Sequence, residues 1–171
     1  MEKIAELADM SQPNVHRYFA TKADLYLAVL KETLNVWLVP LQKIDPAGDP
    51  AVQLREYIHE KMEISRLDPI SSRVFGHEML DGAPVLQPYL KTELRTQISR
   101  FVDMVEAWIA DGRMKPINPL HLLFMIWAST QHYADFQPQV VALLETTRLR
   151  KAHFAAAEKT IADIIIQGVC P

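Results

Sequence analysis

Glycine is scarce in this chain of 171 residues, with five in all, and Cys170 is its single cysteine. One thiol excludes an internal disulfide and a cysteine-based metal site, and the chain therefore suits a reducing cytoplasm. Positive charge is not in excess: the formal net charge is −3, so no overall basic field marks a nucleic-acid binder. A DNA-binding role has to rest on a local surface. Long apolar runs are missing. The longest, LLFMIWAS, is far too short to span a bilayer. The N-terminus has no apolar segment of signal-peptide type, and no helix pairs a basic face with an apolar one, which disfavours a membrane role. Walker, G-x-S-x-G and dinucleotide fingerprints are lacking, which argues against an enzyme. Cofactors are not implied. No segment alternates apolar and polar residues over a strand length, so the expected fold class is all-α.

The punctuation supports that reading. Gly82, Gly112 and Gly168 each follow a segment of helical period, where a left-handed cap is expected. Asp49-Pro50 and Asn118-Pro119 read as an N-cap followed by a proline in the first helical position. Helices are expected over 1–9, Ser11–Phe19, Lys22 to about Leu38, Asp49 to about Leu67, Ser71–Leu80, Pro84–Asp111, Pro119–Phe136 and Leu149–Gln167. Pro40 is expected to end or kink the third of these, because it has no N–H for a helix interior. VVALL, inside Pro138–Thr147, has the makings of a helical turn.

Two helices carry more apolar surface than one core needs. In NPLHLLFMIWASTQHYADF one stripe is Leu120, Leu123, Phe124, Trp127 and Gln131, and a second is Leu122, Met125, Ile126, Ser129 and Tyr133. Such a helix is buried on most sides. In the final helix Ala155, Ala156 and Ala157 permit close approach, while Ile161, Ile164 and Ile165 supply a seam. Two helices from each of two chains would make a four-helix homodimer interface. The alternative is that both helices are core alone.

The opening stretch IAELADMSQPNVHRYF divides as helix, turn and helix. Ile4, Leu7 and Ala8 face inward, Ala5 is small where two helices would cross, and Met10 plugs the turn. Ser11 is an N-cap candidate. Gln12, Asn14, His16 and Arg17 are polar side chains early on the second helix, with Val15, Tyr18 and Phe19 facing inward or flanking. A DNA-recognition helix needs this division between an anchored face and side chains that reach base edges. Lys22, at the next helix start, is placed to meet a phosphate.

Ala5, Ala8, Met10, Ser11, Tyr18, Phe19, Lys22 and Leu25 resemble the helix-turn-helix end of the TetR family of one-component bacterial repressors. EMLDGAP and RMKPINPLHLLFMIWASTQHYADFQPQV are similar to its pyrimidine-utilisation (RutR-type) branch. This resemblance implies a helix-turn-helix region and connecting helix over 1–38, a ligand-binding and dimerisation domain over 39–171, operator DNA as partner, and release by a small effector, with uracil or thymine suggested. In the family a further helix and a basic arm precede the Ile4-Ala5 pair, whereas this sequence starts inside the second helix. Within 1–31 the charges of Lys3, Arg17, Lys22 and Lys31 cancel those of Glu2, Glu6, Asp9 and Asp24. The chain as written is therefore expected to bind its operator poorly, because phosphate neutralisation supplies most non-specific affinity.

Trp127 and Gln131 lie four apart, on one helical face. An indole plate beside an amide that both donates and accepts suits a flat heterocycle with adjacent N–H and C=O groups. Thr130 and Tyr133 flank them. Arg73 is a candidate for a ligand carbonyl, and Phe75 or Met79 for packing on the ring. Gly82-Ala83-Pro84 offers a hinge. The plainer readings are a core tryptophan, a Gln131 bonded across a dimer, and an exposed arginine. A metal-enzyme reading rests on Glu56-x-x-His59 and on His132 with Asp135, spaced three apart. A di-iron bundle site would need a second Glu-x-x-His pair, which the sequence lacks.

Overall fold

The computed structural model describes residues 1–171 and is entirely helical. Two short helices open it, α1 (Glu2–Leu7) and α2 (Gln12–Tyr18). The turn between them is made by Asp9 at φ 52°, a conformation that Asp tolerates better than most residues. Ser11 caps α2, its hydroxyl accepting the Asn14 N–H at 3.4 Å. Helix α3 (Lys22–Gln42) starts from a reciprocal capping box between Thr21 and Asp24. It does not end at Leu38. Pro40 lies inside it, buried, near enough to the C-terminus that the missing N–H costs a single ladder bond.

Asp49 and Asn118 cap α4 (Pro50–Leu67) and α8 (Pro119–Asp135), as expected from their Asx-Pro pairs. Helix α5 (Pro69–Leu80) starts two residues earlier than expected, because Asp68 caps it through the Ser71 N–H. The expected long helix over 84–111 begins only at Gln87. It runs through α6 (Gln87–Tyr89) and one π turn (Leu90–Leu94) into α7 (Arg95–Ala110). VVALL lies largely within α9 (Gln137–Leu143). The last helix, α10 (Lys151–Val169), incorporates Gly168, which does not act as a left-handed cap. Its final carbonyls are satisfied from outside: the Lys115 N–H donates to Val169 O at 2.7 Å and Lys115 Nζ to Gln167 O at 2.9 Å. Gly82 and Gly112 do adopt positive φ, at 87° and 72°.

Helix α4 lies at the centre, against α8 on one side and α10 on another, with α7 closing the bundle. Leu54, Ile58 and Met62 of α4 meet Val105 and Trp108 of α7, Leu122 and Ile126 of α8, and Ile165 of α10. Buried polar atoms find partners here: Trp108 Nε1 donates to Pro46 O and Trp127 Nε1 to the Tyr57 hydroxyl, both at 2.7 Å. A smaller cluster of Leu30, Leu34, Ala83 and Leu86 joins α3 to the turn after α5. The expected boundary at 38/39 thus falls inside one continuous helix.

The two stripes of α8 are not two faces. Leu122, Leu123, Ile126, Thr130 and Ala134 form one inner face, while Leu120, Phe124 and Met125 stay exposed. In α10, Ala157 and Ile165 belong to the chain's own core, and Ala155, Ala156 and Ile164 point outward. At 100° per residue, three consecutive alanines cannot share a seam.

Candidate functional site

Two surfaces stand out. The first is α2. Val15 is its buried residue, as Ala5 is that of α1, and Ser11, Gln12, Asn14, His16, Arg17 and Tyr18 all face outward. Tyr18 does not flank the interior: it is 67% exposed. The His16 Nδ1 lies 3.2 Å from Ala20 O, which ties its ring to the end of α2. Lys22 occupies the first position of α3, exposed. Leu7 is 90% exposed and Met10 37%, so the turn is capped loosely. Long polar side chains on an anchored short helix, beside a lysine at a helix N-terminus, have the chemistry of groove and phosphate contact.

The second is a cavity of about 560 Å³ between α5 and α8, within the range of small-molecule sites. Arg73, Phe75 and Met79 line it from α5, and Trp127 and Gln131 from α8. Arg73 and Gln131 are half-buried and make no hydrogen bond within the chain, so a guanidinium, an amide donor and an amide acceptor are free. Phe75 meets Trp37 of α3 edge-on, ring centroids 4.8 Å apart.

Thr130 and Tyr133 are not in this wall. Thr130 is fully buried, its hydroxyl donating to Ile126 O at 2.7 Å. Tyr133 lines a separate cleft with Val140 and Ile161. Both neighbour Gln131 in sequence, but helical rotation turns them to other faces. The Glu56/His59 pair is on the outer side of α4, where His59 Nδ1 lies 2.9 Å from Glu158 Oε1. His132 stacks on Phe136 at 5.0 Å rather than turning toward Asp135.

The cavity floor holds residues that sequence reasoning missed. Asp135 faces the cavity and accepts the hydroxyl of buried Ser72. Lys61 of α4 is 1% exposed, its Nζ 4.5 Å from the Trp37 ring centroid. Burial pushes the Lys61 ammonium down to about 7, opposed by the charge of Asp135. The pattern Leu54, Ile58, Lys61, Met62, Ser65 does put Lys61 on the apolar face of α4, which is the signal that marks it.

Glu78, also buried, bolts the cavity helix to its surroundings. One carboxylate oxygen accepts Val85 N–H at 2.7 Å and Leu86 N–H at 3.0 Å, and the other accepts the Tyr26 hydroxyl at 3.2 Å. Burial, then the Glu78 carboxylate, pushes the Tyr26 phenol up. Gly82-Ala83, both at positive φ, form the turn that brings those N–H groups round; Ala83 is held at φ 56° by its N–H to Glu78 O at 2.7 Å.

Comparison with known proteins splits the chain inside α3. Residues 1–29 match the profile of bacterial regulatory proteins of the tetR family, and residues 30–171 that of the YcdC-like protein C-terminal region. The chain is 43% identical over 171 residues to the HTH-type transcriptional regulator RutR of Escherichia coli strain K12, covering 100% of this chain and 81% of that protein. The RutR of Escherichia coli O157:H7 gives the same figures. An uncharacterized HTH-type transcriptional regulator of Bacillus subtilis, YhgD, is 22% identical over 123 residues, 70% of this chain and 63% of its own. The chain belongs to the TetR family of transcriptional regulators.

Proposed function

We propose that the chain is a homodimeric repressor whose α2 reads operator DNA and whose α5–α8 cavity takes a pyrimidine, uracil or thymine, as the releasing effector. Gln12, Asn14, His16, Arg17 and Tyr18 are the base-reading and flanking groups, with Ser11 and Lys22 on the phosphates. Trp127 stacks on the ring, Gln131 pairs with its N–H and C=O edge, Arg73 takes a second carbonyl, and Phe75 and Met79 close the remaining side. Thr130 and Tyr133 are left out of the contact set, since neither reaches the cavity. The dimer forms through the outer faces of α8 and α10, where Phe124, Met125 and Ile164 are exposed. No helix is long and apolar enough to cross a membrane. The protein works in the cytoplasm, where its operator is.

The observation that carries this reading is the path from cavity to head. His77 and Met79 line the cavity, and Glu78 between them is bonded to Tyr26, one turn from the start of α3. A ligand that moves α5 moves α3, and with it the orientation of α2. Because the charges of residues 1–31 cancel, operator binding is weak in this chain, and a mobility shift at low salt, with an operator selected from random DNA, provides the test. Uracil releases the wild-type chain, while Gln131→Leu binds the operator and is not released. Release of Gln131→Leu at wild-type uracil concentrations overturns the assignment. Salt titration of the same complex adds a check: Lys22→Ala lowers the slope of log affinity against log salt by about one unit.

A further inference from the structure

Trp127, Gln131 and Asp135 are spaced four apart on α8, and all three line the α5–α8 cavity. An aromatic plate, an amide and a carboxylate thus stand one above the next on a single helical face. Ser72 occupies one Asp135 oxygen, Oδ1, through its hydroxyl. The other oxygen makes no hydrogen bond within the chain and belongs to a side chain that borders the cavity. Lys61 of α4 is 1% exposed; the Asp135 charge favours its ammonium, and the two make no ion pair. Its charge offsets that of Asp135 without occupying the free oxygen. A lysine side chain this deeply buried is costly in its charged form, and Asp135 is the acid whose charge opposes that cost.

We propose that Asp135 is the acceptor that reads a ring N–H of the effector, so that the cavity selects cyclic ureides, in which a carbonyl is flanked by two N–H groups. This rests on the reading of the cavity as a pyrimidine site. Gln131 pairs with one N–H and its neighbouring carbonyl. Asp135, one turn further along, accepts the other N–H. Lys61 is a positioning residue that holds the carboxylate, and Ser72 fixes its orientation. Methylation of the ring nitrogen facing Asp135 removes the donor and places a methyl group against a carboxylate.

Calorimetric titration of the full chain tests this, with uracil, 1-methyluracil and 3-methyluracil as probes. In Asp135→Asn the affinity for uracil falls by about 10- to 100-fold, the range for losing a hydrogen bond to a charged group. One of the two methyluracils binds wild type weakly and binds Asp135→Asn no more weakly, because the bond it lacks is the bond the variant lacks. Lys61→Met/Asp135→Asn repeats the measurement with no unpaired charge left in the floor, so that misfolding is separated from lost recognition; the same loss and the same methyl pattern are expected. Uracil bound at wild-type strength by both Asp135 variants, but lost in Gln131→Leu, overturns the role of Asp135 and leaves the cavity as the pyrimidine site. No binding of uracil to the wild-type chain, or undiminished binding in Gln131→Leu and Trp127→Ala, overturns both.

Discussion

The head and the cavity are built in opposite ways. Helices α1 and α2 are made by contacts a few residues apart: the Ser11 cap, the Asp9 turn and the Met10 N–H to Ala5 O bond. The cavity is made by residues far apart in the chain that meet only when the bundle closes, such as Ser72 with Asp135, 63 positions apart, and Tyr26 with Glu78, 52 apart. Local construction leaves side chains free to face a partner. Long-range construction couples a ligand's position to the rest of the fold, which a ligand-responsive regulator requires. Damage to the head is therefore expected to stay local, and damage around the cavity to spread.

Glu78→Leu gives the largest effect. It strands the Val85 and Leu86 N–H groups, the second of them fully buried, and frees the Tyr26 hydroxyl. Unpaired buried donors cost about 1–3 kcal/mol each, so the loss is about 3–5 kcal/mol in chemical denaturation. The milder Tyr26→Phe removes one bond, about 1 kcal/mol, and leaves the turn after α5 intact. It is expected to weaken operator release by uracil more than it weakens uracil binding itself. Equal effects on the two would break the proposed path from cavity to head.

Lys61 comes next. Its folded-state value, about 7, lies below the ordinary 10.5 of an unfolded lysine. Between those values the unfolded chain holds a proton that the folded chain has released, so stability rises with pH, by up to about 1.4 kcal/mol per pH unit. Below about pH 7 both states are protonated, and the cost of burying the ammonium is present in full. The difference in stability between wild type and Lys61→Met, measured by urea unfolding from pH 7 to pH 9, is expected to move steadily in favour of wild type. A flat difference would show Lys61 to be better solvated than its burial implies. Ser11→Ala provides the contrast. It removes a cap worth about 1 kcal/mol to α2, and is expected to weaken operator binding while leaving uracil affinity unchanged.

The same contrast explains what could be read in advance. Caps, turns and apolar periods are local, so Asp49, Asn118 and Gly82 were legible, as was the shared α8 face of Trp127 and Gln131. Pro40 and Gly168 were not, because burial of a proline ring and outside bonding by Lys115 decide those helix ends. Thr130 is next to Gln131 in sequence, but one residue of helical rotation turns it to the buried face of α8. Asp135 was weighed only as a partner for His132, since nothing local says that Ser72 will meet it. Lys61 carries a local signal, a charge on the apolar period of α4, but only the packed bundle shows which acid it faces.

Gly76 offers the smallest and sharpest test. It sits inside α5, lines the cavity, and a Cβ there meets nothing within 4 Å. Glycine in a helix interior is worse than alanine by about 0.5–1 kcal/mol, so Gly76→Ala is expected to stabilise the chain by about that amount, with no clash to offset it. The added methyl projects into space that the proposed ligand would share. If the cavity is the effector site, Gly76→Ala raises the thermal midpoint of the free protein yet weakens uracil binding by a few-fold. Stabilisation with unchanged affinity would place the ligand away from α5 and against the α8 face alone. Stability and function would then be separable at this wall, and the contrast between head and cavity would narrow.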